Sequence, residues 1–198
     1  MTKGRLEAFS DGVLAIIITI MVLELHVPEG PTLEDLEPVL SSFGTYALSF
    51  VYVGIYWNNH HHMFQVVEGI SGTVLWANLH LLFWLSLFPF STAWMDETDF
   101  ARTPTLVYGV NLLLAALAYT VLVQTIFRGP SGDRLRRALG PDVKGKLSPL
   151  VYVTGILLCL LNPVVGLATY TIVAVIWLVP DRRVERFLAA ESSTAGPA

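Results

Sequence analysis

The chain has 198 residues and a net charge of −4, and 54% of its residues are hydrophobic while only 14% are charged. Soluble domains carry about 25% charged residues, so this composition excludes an ordinary water-soluble fold, and the mean hydropathy of +0.59 agrees. The small net charge gives no indication of nucleic-acid binding. The single cysteine, Cys159, lies in an apolar stretch and excludes an intrachain disulfide.

Long runs without Asp, Glu, Lys or Arg predict membrane-spanning helices. A bilayer core about 30 Å thick needs roughly 17–25 helical residues to cross. The first span needs residues on both sides of a short apolar run to reach this length, and each of the next three runs is one span. The run 147–180 is long enough for two short spans, with Asn162-Pro163 as the turn between them. We therefore predict an all-α integral membrane protein with a six-helix unit over 1–180 and a tail over 181–198, disordered near its end. The predicted transmembrane helices are at about 4–26, 39–64, 70–95, 103–127, 147–162 and 164–180.

The distribution of basic residues predicts the orientation in the membrane. If the N-terminus is cytoplasmic and six spans alternate, every Lys and Arg except Arg102 falls in a cytoplasmic segment. The outer loops then hold acidic residues: Glu29, Glu34, Asp35, Glu37, Asp96, Glu97 and Asp99. This bias follows the positive-inside rule, and we predict that both termini are cytoplasmic.

The first helix has a polar start and an apolar stripe. A carboxylate at Asp11, where the helix enters the membrane, is costly unless it faces protein or water, so it needs a partner such as Arg5 or a donor from another helix. Ile16, Ile20 and Leu23 are spaced i, i+4 and i+7 and therefore share one helix face. Such a stripe is by itself typical of ordinary helix packing.

Four sequence motifs nevertheless resemble the lysosomal potassium channel family and its bacterial single-repeat homologues. The segment RLEAFSD at 5–11, followed by IIITI at 16–20, is similar to the start of that family's first helix. The segment YWNNHHHMF at 56–64 resembles the end of its second helix, and LWANL at 75–79 and FWLSLFPF at 83–90 resemble its third. The resemblance covers about the first half of the chain, and the second half matches in helix count and hydropathy.

The resemblance implies a function and an architecture. Channels of this family line their pore with first helices, and rings of large aliphatic residues form the narrowest points. Carried over by position, these rings are Ile16, Ile20 and Leu23, with Thr19 as a nearby hydroxyl layer. Bacterial members have one unit per chain and form homotetramers in the cell membrane, so we expect a multi-pass protein of the bacterial inner membrane whose first helices line a tetrameric pore.

The expected activity is a modestly potassium-selective cation channel without a cofactor. No Thr-Val-Gly-Tyr-Gly run occurs, which excludes the carbonyl-lined filter of ordinary potassium channels. Potassium ions are then the permeant species, and the acidic outer residues, with Glu24 near the mouth, would concentrate cations. The sequence contains no nucleophile–base pair, phosphate loop or metal-ligand spacing, so we expect no enzyme activity and no metal. A secondary ion transporter that titrates Asp11 and histidines is the alternative.

Three consecutive histidines at 60–62 have three possible roles. They are interfacial residues at a helix end, ligands of a metal, or partners of the polar start of the first helix. The family resemblance favours the last role for His60 or His61. The structural polar cluster would then contain the residues Arg5, Phe9, Ser10, Asp11, Trp57, His60, His61 and Asn78. His80, alone in mid-span, is expected to bond to a neighbouring helix.

Overall fold

The computed structural model describes residues 2–140, 142–178 and 183–194, and within these ranges the chain is helical and has no strand. A short 3-10 helix, Glu34–Leu36, precedes the second helix. The helices are α1 Lys3–Leu23, α2 Glu37–Val66, α3 Gly72–Ser86, α4 Phe88–Glu97, α5 Arg102–Phe127, α6 Gly132–Leu139, α7 Val143–Leu161, α8 Pro163–Leu178 and α9 Arg183–Thr194.

Several of these helices are long and apolar enough to cross a membrane. By length and composition, the part of the chain that is described has 5 such segments, formed by α1, the 3-10 helix with α2, α3 with α4, α5 and α7. Helix α8 is apolar but shorter, with 16 residues. The all-helical architecture with multiple apolar helices agrees with the sequence, whereas the count of six crossings and the orientation stay predictions.

The helix predicted over 70–95 is divided into α3 and α4. The two helices meet at Leu87, and Pro89 lies in the first turn of α4. Proline has no N–H to donate to the preceding turn and its ring crowds that turn, so the hydrogen-bond ladder is interrupted there. The two helices still make up one apolar segment, Gly72–Glu97.

Other helix ends also differ from the predicted bounds. Helix α7 begins at Val143, earlier than predicted, and includes Lys144 and Lys146. Lysines are tolerated at the end of an apolar helix because the stem can lie along apolar surface while the ammonium group reaches water. The basic segment after α5 forms α6, and Asp142 caps α7 by accepting from the Gly145 N–H at 3.1 Å. The tail is helical over Arg183–Thr194, so its last turn extends into the part predicted to be disordered, while 195–198 lie outside the described residues.

Helix α5 lies in the centre of the bundle and α1 lies to one side. Helix α5 packs against α3, α4, α6, α7 and α8, whereas α1 packs against α2, α3 and α4. Helices α7 and α8 form a tight hairpin around the Asn162-Pro163 turn, where the Asn162 side chain accepts from the Val164 N–H at 2.9 Å. A Cβ at Gly155 or Gly109 would collide with the Tyr170 ring. These glycines let the aromatic core close at this point.

Candidate pore face and supporting polar cluster

Helix α1 has one face buried in its own chain and one face that the chain leaves uncovered. The buried side chains are Leu6, Ser10, Leu14, Ile17 and Met21, at intervals of three or four residues. This is the period of a helix that packs along one side. The opposite face is therefore free to contact lipid, water or another chain.

The uncovered face carries the residues of the predicted constriction. Ile16 is 60% exposed, Ile20 41% and Leu23 76%, whereas the neighbouring Ile17 is 2% exposed. Thr19 is also exposed and its hydroxyl donates to the Ala15 carbonyl at 2.8 Å. The structure thus places the three aliphatic residues and the hydroxyl together on one side of α1, away from the core of the chain.

A directed chain of buried hydrogen bonds ties the start of α1 to α2 and α3. The Asn78 Nδ2 donates to Ser10 Oγ at 2.9 Å, and Ser10 Oγ donates to the Leu6 carbonyl at 2.9 Å. The Asn78 Oδ1 lies 2.8 Å from His60 Nε2. Because this oxygen can only accept, the proton resides on His60 Nε2. Ser10, His60 and Asn78 are 0%, 3% and 2% exposed, so each bond is made without water.

The Asp11 carboxylate has a different partner from the one that opposite charge suggests. It accepts from the Trp57 indole Nε1 at 3.0 Å. Arg5 is exposed, and no hydrogen bond or ion pair joins it to Asp11 among the described side chains. The structure therefore brings Asp11 and Trp57 together and leaves Arg5 outside the cluster.

The remaining predicted cluster residues are close by but are not part of the chain of hydrogen bonds. His61 stacks on Trp57 with ring centroids 6.2 Å apart and bonds to Gln65 at 2.9 Å. Phe9 is 51% exposed, on the uncovered side of α1. His80 accepts from Trp84 at 2.9 Å within its own helix, and among the described residues it makes no hydrogen bond to another helix.

Comparison with known proteins identifies the family. Residues 5–89 match the model of the family described as "Endosomal/lysosomal potassium channel TMEM175". A protein from Chryseobacterium sp. (strain P1-3) named as a potassium channel is 53% identical over 189 residues, which cover 95% of this chain and 98% of that protein. The chain belongs to the TMEM175 family. The resemblance stated from the sequence motifs is confirmed, and the family is one of ion channels rather than enzymes.

Two further relatives extend the comparison with the TMEM175 family. The crystal structure of a lysosomal potassium-selective channel TMEM175 homolog from Chamaesiphon minutus matches with a TM-score of 0.72 at 26% identity, and the match covers 88% of this chain and 95% of that one. The mouse protein named as the endosomal/lysosomal proton channel TMEM175 is 32% identical over 116 residues, which are 52% of this chain and 23% of the mouse protein. The helical arrangement therefore matches a solved member of the family.

The structure also contains buried polar contacts that sequence reasoning missed. Ser49 on α2 bonds to Thr92 at 2.8 Å and to Tyr108 at 3.1 Å, and one turn earlier Thr45 donates to Asp96 at 3.2 Å. The signal was present in the sequence, because Thr45 and Ser49 are polar residues at i and i+4 within an apolar run. Their spacing indicates one polar face directed at neighbouring helices.

The three consecutive histidines of α2 point in different directions around the helix. In the ranges that the structure describes, no group of three or more His, Cys, Asp or Glu side chains is arranged to hold a metal ion. Consecutive helical residues point about 100° apart, so His60 turns into the bundle while His61 stays outside. The three histidines thus serve different environments.

Proposed function

We propose that this chain forms a potassium-permeable cation channel in which four copies surround one pore lined by α1. The observation that carries the proposal is the division of α1 into a packed face and an uncovered face with Ile16, Ile20 and Leu23. An apolar face that one chain leaves open has to be covered by lipid or by other copies. Membership in a channel family, together with the name of the Chryseobacterium relative, favours the second arrangement.

Rings of branched aliphatic side chains would act as the constriction. When such rings are tight, they exclude water and block ions, and when they widen, they admit a partly hydrated cation. Potassium sheds water more readily than sodium, which accounts for a modest preference for potassium. A stronger preference would need polar ligands that Ile16, Ile20 and Leu23 do not supply.

Thr19 would add one polar layer between the aliphatic rings. Its hydroxyl proton is used by the Ala15 carbonyl, so its oxygen lone pairs remain on the uncovered side of the helix. A hydroxyl oxygen held as an acceptor can solvate a cation but not an anion. Four copies of Thr19 would therefore favour cations at this level of the pore.

Acidic side chains collect at the end of α1 where the outer mouth is proposed. Glu24, Asp96 and Glu97, together with His26, border one small cleft between α1, α2 and α4. A surface potential of one sign raises the local concentration of ions of the opposite sign. In the proposed orientation, with both termini cytoplasmic and the protein in the bacterial inner membrane, these carboxylates would attract cations to the pore.

A bilayer recording tests the proposal against a carrier that titrates Asp11 and histidines. Purified protein reconstituted into planar bilayers is expected to produce discrete unitary currents that reverse near the potassium equilibrium potential in a potassium chloride gradient without sodium. A slow ion flux that saturates with ion concentration, without unitary currents, would contradict the channel proposal and favour the transporter. Because several animal relatives are named as proton channels, the same membranes should also be recorded under a pH gradient with impermeant ions.

A further inference from the structure

One cavity lies among helices that do not pack against α1, apart from α2, and plays no part in the proposed pore. It has a volume of about 290 Å³ and lies between α2, α5, α7 and α8. Its lining includes three buried tyrosines, Tyr52, Tyr56 and Tyr152. Ligand pockets of about 300–1,000 Å³ are typically apolar with a few placed polar groups, and this cavity is near the lower bound.

The cavity has an apolar interior and a polar mouth. Ile55, Ala116 and the tyrosine rings form the interior, while Gln124 and Lys146 border the mouth. Exposed lining residues follow α5 from Leu117 to Gln124, a stretch of roughly 10 Å at 1.5 Å per residue. The opening is therefore a slot along the surface of the bundle, and it suits a long, narrow, amphipathic molecule.

The charge at the mouth favours an acidic head group. Asp142 also lines the cavity, with its carboxylate turned onto the Gly145 N–H at the start of α7, and Lys144 donates to the Ile176 carbonyl at 3.1 Å. The Lys146 side chain is exposed at the rim of the cavity. The same end of the cavity adjoins α6, which carries Arg136 and Arg137 in its last turn. Basic residues beside a membrane attract anionic lipid head groups.

We propose that this cavity binds one acyl chain of an anionic phospholipid whose phosphate contacts Lys146. At the roughly 30 Å³ that a water molecule occupies in the liquid, a volume of 290 Å³ holds roughly ten groups of methylene size, which is part of one chain. Pro149 lines the cavity inside α7, where proline weakens the helix. The lipid chain fills this side of α7 and stabilises the α5–α7 contact.

Native mass spectrometry of the purified full-length protein tests the site. Delipidated protein is titrated with phosphatidylglycerol or with phosphatidylcholine of the same chains, and inorganic phosphate is added in a third arm. We expect phosphatidylglycerol to be retained preferentially and inorganic phosphate to leave it in place. Equal retention of both lipids would overturn the proposal, because the site would then recognise only the acyl chain. Displacement of the lipid by inorganic phosphate would also overturn it, because the site would then recognise only the phosphate.

Two variants and a matched control locate the retained lipid. Lys146→Gln should weaken phosphatidylglycerol retention about fivefold, the effect of one basic residue at a membrane surface. Arg102→Gln also removes one positive charge, at an exposed position at the opposite end of α5 from the cavity, and should leave retention unchanged. Ala116→Phe fills the interior and should reduce retention without changing the preference for the head group. Equal losses in both charge variants, or full retention in Ala116→Phe, would refute this location.

Discussion

The adjacent residues Ile16 and Ile17 provide a paired test of the pore face. They have the same side chain and lie about 100° apart around α1. Ile16 is 60% exposed and Ile17 is 2% exposed. If α1 lines the pore with its uncovered face, Ile16→Ala should change permeation and leave stability nearly unchanged. Ile17→Ala should lower stability and leave permeation nearly unchanged.

The structure sets the expected size of each effect. Ile17→Ala removes a fully packed side chain, a change that costs about 2–5 kcal/mol in a well-packed core. Thermal unfolding should then move down by several degrees, because 1 kcal/mol corresponds to roughly 2–4 °C in chains of 150–250 residues. Ile16→Ala leaves no cavity within the chain, and the free energy of unfolding should change by no more than about 0.5 kcal/mol.

Permeation should respond in the reverse order. Ile16→Ala removes all of the side chain beyond Cβ from four walls of the pore at once, so conductance should rise and discrimination between potassium and sodium should fall. Ile16→Asn makes the same ring wettable and should favour the conducting state, since apolar gates close by dewetting. Reversal potentials under bi-ionic potassium/sodium conditions measure the permeability ratio. A changed ratio in Ile17→Ala with an unchanged ratio in Ile16→Ala would refute the assignment of the pore face.

Four further predictions concern the polar cluster, the assembly and the orientation. Asn78→Leu should lower the free energy of unfolding by about 1–3 kcal/mol, because it leaves the buried His60 N–H without an acceptor, and thermal melts in detergent measure this. Trp57→Phe should reduce the yield of assembled channel in size-exclusion chromatography more than Arg5→Ala does, and equal losses would contradict the observed partner of the carboxylate. Cross-linking of the purified protein with a bifunctional amine reagent, which can act on Lys3, Lys144 and Lys146 of each chain, should give a ladder of up to four copies, and a ladder that stops at two would argue against the tetramer. In sealed vesicles, a cysteine introduced into the C-terminal tail of a chain without Cys159 should react with a membrane-impermeant maleimide only from the cytoplasmic side.

The residues that make up each face of α1 could be predicted from the sequence, because helical spacing fixes which side chains point the same way. Ile16, Ile20 and Leu23 share a face by spacing alone, but so do Ile17 and Met21, and both stripes are apolar. The sequence therefore could not decide from periodicity which stripe packs inside the chain. The choice depends on what α2, α3 and α4 place against α1, and only the family resemblance indicated the answer in advance.

Membership of the polar cluster was predictable for the neutral residues and less so for the charged ones. Asn78 and His60 are hydrogen-bonding residues in apolar runs, and burial obliges such groups to find partners. The sequence left two kinds of partner open for Asp11, namely Arg5 or a donor from another helix, and the second is observed. Near the membrane surface water screens the arginine, and an indole N–H from α2 supplies the donor instead.

The break at Leu87 and the extra helices show where charge-free runs mislead. The mean hydropathy of a segment indicates whether it can cross the membrane. It hardly responds to one proline such as Pro89, although that residue interrupts the hydrogen bonding of the helix. Helix α6 was missed because it is amphipathic, with Leu135 and Ala138 buried on one side and basic residues on the other. Its mean hydropathy is therefore low, like that of a polar loop.

The polar cluster and the proposed pore face are linked by the rigidity of α1. Ser10 is fixed by Asn78 on α3, and Asp11 by Trp57 on α2, so two neighbouring residues of α1 are held from two different helices. Bonds in two directions determine the rotation of α1 about its axis, whereas apolar packing alone would tolerate a slip between similar stripes. A rotation of about 100° would exchange Ile16 for Ile17 on the uncovered face. The hydrogen bonds at the start of the helix thus select which aliphatic residues can form rings more than one turn away.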